Sequence, residues 1–184
     1  MRIEPKPFND YPWYLRLFFW NQRRKYGKVL DASLLWARSP KLFLAALFLF
    51  RTMDRKSSPL SPILRSLVMV RVSQINGCAF CVDMNSATLL KRGVSSAKVG
   101  ALQEWRASDL FEEQERAVLE YAEAVTRSDI QVNDELTARL KKYLDDDAII
   151  ELTGLIACQN LSSKFNSALD IPPQGFCQIN LPTS

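Results

Sequence analysis

Residues 61–85 read SPILRSLVMVRVSQINGCAFCVDMN, and the organisation of the whole chain can be worked out from this stretch. Ser61 followed by Pro62 is a cap with a proline in the first helical turn, so a helix is expected to run to about residue 75. Asn76-Gly77 breaks it. A second helix is expected from Cys78 to Arg92, ending at Gly93, because glycine is favoured just past a helix end. Cysteines at positions 78 and 81 lie three residues apart and so share one helix face. Two thiols so placed can close a strained, readily reduced disulfide, and the first turn of a helix stabilises a thiolate.

The rest of the chain carries the same punctuation. Asp10-Tyr11-Pro12 opens a helix over about 12–26, closed by Gly27; Ser39-Pro40 opens one to about residue 54. Ser95 and Ser96 can cap a short helix to Trp105, and Ala117, Val118, Tyr121, Ala122 and Val125 recur at helical spacing between 112 and 127. Asn133 can cap a helix to Tyr143, and Asp145 or Asp146 one from Ile149 to about Ala168, before Pro172-Pro173. No stretch alternates convincingly with period two. The expectation is an all-α domain of seven or eight helices over residues 28–171, with an amino-terminal helical extension (1–27) and a tail (172–184).

Composition excludes whole reaction classes. Among 184 residues there is no histidine. Ser-His-Asp and Cys-His nucleophilic pairs, His-containing zinc or iron sites and a His proton shuttle are therefore ruled out. The net charge of +4 is unevenly spread. Residues 1–56 carry twelve Lys/Arg against four Asp/Glu, whereas residues 93–184 carry eight against fifteen. Attraction between the halves is the plainer account of that split, ahead of a charged partner. The basic residues form no runs of the kind that bind nucleic acid, so none is expected as a partner.

The longest apolar run, Leu42–Phe50, is too short to cross a bilayer, and with no apolar stretch immediately after the basic start of Met1–Pro7 no secretory signal is expected. A reducing cytoplasm is expected. There, paired cysteines are more often redox-active or metal-binding than structural. Ordinary core filling and metal binding remain alternatives for Cys78 and Cys81; zinc would have to recruit Cys158, Cys177 or nearby acids. No cofactor or metal is expected. Cys158, within Leu155-Ile156-Ala157-Cys158, reads as a buried inert thiol, and Cys177 as a surface thiol or a partner in intermolecular disulfides.

The segment from Leu64 to Asn85 resembles the carboxymuconolactone decarboxylase and alkylhydroperoxidase D-like superfamily, over about residues 28–171. That resemblance implies an all-α, AhpD-like helical bundle assembling as a trimer or hexamer. It also implies a dithiol/disulfide cycle at Cys78 and Cys81 that reduces small hydroperoxides and is restored by a thiol reductant. The family's peroxidase branch places a Glu twelve residues before the first Cys and a His four residues after the second; here Ser66 and Asn85 stand there. Neither titrates near neutral pH. Arg71 could lower a thiol pKa and Asp83 could act as a substitute base, although a helix-exposed Arg and a surface Asp are the plainer readings. A catalytically weakened scaffold, binding or redox-sensing protein is the alternative to a peroxidase, and a lactone decarboxylase comes third.

The amino-terminal stretch from Tyr11 to Lys25 packs six aromatic residues against a basic end. Peripheral contact with a membrane surface and burial between subunits both suit it; because apolar residues nearly encircle the helix, the subunit interface is preferred.

Overall fold

The computed structural model describes residues 1–179, and among them every regular element is helical. The helices are α1 (Trp13–Tyr26), α2 (Asp31–Trp36), α3 (Pro40–Met53), α4 (Pro62–Ile75), α5 (Ala79–Lys91), α6 (Ser96–Ala101), α7 (Glu113–Thr126), α8 (Asp134–Leu140) and α9 (Asp146–Ala168). Most expected boundaries fall within two residues of these. The caps explain why: Ser61, Ser95, Asn133 and Asp145 each accept the backbone N–H three residues on, at 2.8–3.3 Å.

Three expectations need correction. The short helix α2 had no signal, since Asp31 makes no capping bond and six residues show little periodicity. The helix expected from Ser95 to Trp105 breaks at Ala101 and continues as a 3-10 turn over Leu102–Ala107. Ser39 and Asp10 do not cap: Ser39 makes no side-chain bond to α3, and Asp10 lies in a 3-10 turn ahead of Pro12.

Helix α4 is the axis of the fold. Leu64, Leu67, Val68, Val70 and Val72 are buried around its circumference, together with Ser66 and Ser73, and it packs on α5, α7 and α9. A helix apolar on all sides has to sit inside. Three clusters of buried side chains surround it. One joins α4, α7, α8 and α9 through Val68, Val118, Leu140, Leu152 and Ile156. A second joins Leu67 and Val70 to Leu89, Val99, Leu102 and Leu119. The third brings Tyr11, Leu15 and Phe19 against Trp36, Phe43, Phe80 and both Cys78 and Cys81.

The amino-terminal segment is thus part of the core that surrounds the cysteines. Its Arg2 also donates to the backbone carbonyl of Ala168 at 2.6 Å, at the end of α9. The segment after α9 is likewise packed. Lys28 Nζ donates to the Gln174 carbonyl at 2.6 Å, and the Tyr26 and Phe176 rings meet edge to face. The remainder of the expected tail, residues 180–184, lies outside the described residues. Among the described residues no helix is long and apolar enough to cross a membrane.

Candidate active site

The turn between α4 and α5 builds the cysteine site. Gly77 adopts φ +60°, a left-handed conformation that costs glycine nothing, and Cys78 N–H then closes back on the Ser73 carbonyl at 3.0 Å. Asn76 anchors the turn to α9, its side-chain amide donating to Asn160 Oδ1 and Ser163 Oγ, both at 2.8 Å. Cys78 becomes the N-cap of α5. Its Sγ accepts the backbone N–H of Cys81 at 3.2 Å, so the sulfur sits where unpaired amides and the helix dipole favour a thiolate.

Cys78 and Cys81 are paired as a disulfide with their Cα atoms 5.3 Å apart, and both are buried. Cys81 Sγ accepts a hydrogen bond from Asn166 Nδ2 at 3.2 Å, and Asn166 Oδ1 in turn accepts from Trp36 Nε1 at 2.9 Å. A donor held in this way stabilises a sulfur anion. Trp36 itself is stacked on Phe165, which fixes the chain Trp36–Asn166–Cys81.

The two cysteines line different cavities. Cys81 lines one of about 440 Å³ whose walls include Phe50, Phe80, Met69 and Met84. Ser66 and Asn85 line the same cavity. Ser66 Oγ accepts from Arg92 Nη1 at 2.7 Å, while Asn85 Nδ2 donates to Ser73 Oγ at 3.2 Å. Gln159 Nε2 also donates to Ser73 Oγ, at 2.9 Å. Cys78 lines the other cavity, about 700 Å³, with Arg71, Asp83, Gln103 and Cys177.

Arg71 and Asp83 are both more buried than a surface reading allows. Arg71 is held at 2.7 Å by Glu123, which is 4% exposed and also accepts from Trp105 Nε1 and Arg106 Nη1. Burial pushes the Glu123 carboxyl up, but the donors Trp105, Arg106 and Arg71 outweigh it and hold the group below the usual carboxylate range. The charge of Arg71 is therefore already matched beside Cys78. Both Asp83 oxygens accept backbone N–H groups, from Gln174 and Cys177, each at 2.7 Å. This carboxylate clamps residues 174–177 against α5.

Cys158 also lines the Cys81 cavity, and burial raises its thiol pKa to about 11. Cys177 is half-buried and unpaired. Among the described residues no cluster of three or more Cys, Asp or Glu is placed to hold a metal ion.

Trp36, Ser73, Gln159 and Asn166 are site residues that the sequence does not announce. Asn166 stands 85 positions from Cys81 and Trp36 a further 45 from it in the other direction, so only the fold joins them.

The profile of the carboxymuconolactone decarboxylase family matches residues 41–124, which span α3 to α7 and include both cysteines. The uncharacterized protein YnjA of Escherichia coli K12 is 45% identical over 173 residues, covering 94% of this chain and 95% of that protein. The chain belongs to the carboxymuconolactone decarboxylase family. The solved structure of an uncharacterized peroxidase-related protein from Ralstonia eutropha JMP134, described as an alkylhydroperoxidase AhpD core, superposes with a TM-score of 0.85 at 20% identity. The match covers 94% of this chain and 92% of that one, and it shows the AhpD-like all-α fold. The debrominase Bmp8 superposes with a TM-score of 0.79 at 26% identity, over 94% of this chain and 91% of that one. The family's fold thus carries more than one chemistry.

Proposed function

We propose that this member of the family is a thiol peroxidase in which Cys81 is the attacking thiolate and Cys78 resolves it. The observation that carries this reading is the Cys78–Cys81 disulfide at the start of α5, with Cys81 lining a cavity walled in part by Phe and Met side chains. The Cys81 thiolate attacks the terminal oxygen of a hydroperoxide, the O–O bond breaks, and an alcohol leaves as Cys81 becomes a sulfenic acid. Cys78 then attacks the Cys81 sulfur, forming the disulfide and releasing water. An external dithiol reduces the pair through Cys78, which faces the second cavity.

Asn166 stabilises the attacking sulfur in place of a titrating relay, and the proton reaching the alkoxide comes from water ordered by Ser66 and Asn85. A relay-free site forgoes acid–base help typically worth about 10²–10⁴-fold, so turnover is slow. The cycle requires a reducing compartment, which supports a cytoplasmic location. We also propose that copies of the chain associate through α1, whose Trp13, Leu17 and Trp20 are 70%, 54% and 52% exposed along one face.

The test follows hydroperoxide loss and free thiols together, in wild type and Cys81→Ser. Peroxide-dependent loss of two thiols that vanishes in the variant supports the reading. Reversible oxidation without turnover points instead to a redox sensor or weakened scaffold.

A second reading is favoured by the Phe and Met lining beside Cys81 and the likeness to Bmp8. The same dithiol would reduce a halogenated aromatic ring, forming disulfide, arene and hydrogen halide. Bromide release from a bromopyrrole would identify it.

A further inference from the structure

The cavity that ends at Cys81 is lined by four cationic side chains, Lys25, Arg51, Arg65 and Arg92, against one carboxylate, Asp54. Lys25 and Arg51 are exposed, and neither is in an ion pair among the described residues. Arg65 and Arg92 share Asp54, whose oxygen lies 2.7 Å from Arg92 Nη2 and 3.7 Å from Arg65 Nη2. Asp54 is itself 63% exposed, so much of its charge is screened by water.

Arg65 is only 4% exposed, and its Nε is buried with no hydrogen-bond partner. A guanidinium N–H left in that state is costly unless a ligand or water completes it. Burial, which outweighs the nearby Asp54, pushes the Arg65 guanidinium below its ordinary range, and the charges of Arg92 and Arg55 add to the effect. Arg65 Nη1 already donates to the Met53 and Arg55 carbonyls, at 3.0 and 2.8 Å, so Arg65 adds positive charge to the wall, while the exposed Arg51 and the partly exposed Arg92 are the cations an arriving anion reaches.

Phe50, Met69 and Met84 line the same cavity as these cations and Cys81. Cys81 stands near the start of α5 and Arg92 at its end. At a rise of 1.5 Å per residue, the two backbones are separated by roughly 16 Å. Arg92 is held there by Ser66 Oγ and the Pro62 carbonyl at the start of α4.

From this geometry we propose that the cavity selects amphipathic carboxylates: the anionic head is held by Arg51 and Arg92, with Arg65 adding its charge, and an alkyl chain reaches down to Cys81. The substrate of the proposed peroxidase is then a hydroperoxide of a medium- or long-chain carboxylic acid. This rests on the thiol-peroxidase reading for its chemistry but not for its binding. The excess of cations in residues 1–56 gains a use here, since Lys25 and Arg51 belong to that segment.

Calorimetric titration of the oxidised, non-turning-over protein with decanoate and decan-1-ol, each below its aggregation limit, tests the binding. Decanoate is expected to bind at least about tenfold more tightly than the alcohol, because only the acid makes charge-assisted bonds. Acetate is expected to bind too weakly to measure, and added salt to weaken decanoate. Arg51→Gln and Arg92→Gln should each reduce decanoate affinity by about fivefold or more while leaving decanol affinity nearly constant. Arg51 is exposed, so its variant folds even if loss of Arg92 does not permit folding. Equal affinity for acid and alcohol, or wild-type decanoate affinity in Arg51→Gln, would overturn the proposal. Turnover of the uncharged cumene hydroperoxide reports separately on the thiol chemistry.

Discussion

At the scale of single residues, the reactivity of three kinds of thiol follows from their surroundings. Cys81 takes a hydrogen bond from Asn166, and removing that donor in Asn166→Ala should shift thiolate formation at Cys81 to higher pH. The pH dependence of alkylation of the reduced protein reads this directly; an unchanged profile would show that Asn166 has no part in activation. Cys158, with its pKa raised to about 11 by burial, should resist alkylation at neutral pH and react only on unfolding. Cys177, half-buried in the segment behind Asp83, should label readily in the folded protein. Cys78 and Cys81 stand out in the sequence because three-residue spacing after Asn76-Gly77 has a local meaning. Their partners do not: Trp36 and Asn166 gain their role only when α2 and α9 meet.

At the scale of elements, two buried carboxylates join parts of the chain far apart in sequence. Glu123 on α7 ties α4 to the 3-10 turn after α6 through Arg71, Trp105 and Arg106. Because its folded pKa lies below the ordinary 4.5, its contribution to stability is present above that value and is lost as pH falls through the folded pKa. Glu123→Gln should cost on the order of 3 kcal/mol at neutral pH, since Arg71 is left buried and unmatched. It should also flatten the acid limb of the stability curve, as measured by denaturant unfolding at several pH values. Asp83 clamps residues 174–177, so Asp83→Ala should speed proteolysis after α9 and alkylation of Cys177 while the helical signal persists. The helices were legible from caps and breaks because those signals act within a turn or two. The docking of residues 174–177 was not, because an aspartate accepting amides 91 and 94 positions away leaves no local mark.

At the scale of the whole molecule, the chain wraps a buried central helix and brings its basic front half against its acidic rear half. Arg55–Glu151 and Arg71–Glu123 are pairs of that kind. The charge split was visible in the sequence, but its division between internal pairing and a cavity with more cations than carboxylates was not. The inner face of the amino-terminal helix, Leu15 and Phe19, completes the core beside the cysteines. Its outer face is the proposed contact between copies. Leu17→Glu should therefore lower the mass found by sedimentation equilibrium while leaving the helical content unchanged; an unaltered mass would place the contact elsewhere.

The most direct test of the central claim is a single-turnover experiment on the pre-reduced protein with limiting hydroperoxide. The account predicts that each hydroperoxide consumed yields one alcohol and removes two thiols, mapped to Cys78 and Cys81, and that Cys81→Ser slows consumption by at least about 100-fold. Hydroperoxide consumed at the wild-type rate by Cys81→Ser, or a dithiol that stays reduced in its presence, would contradict it.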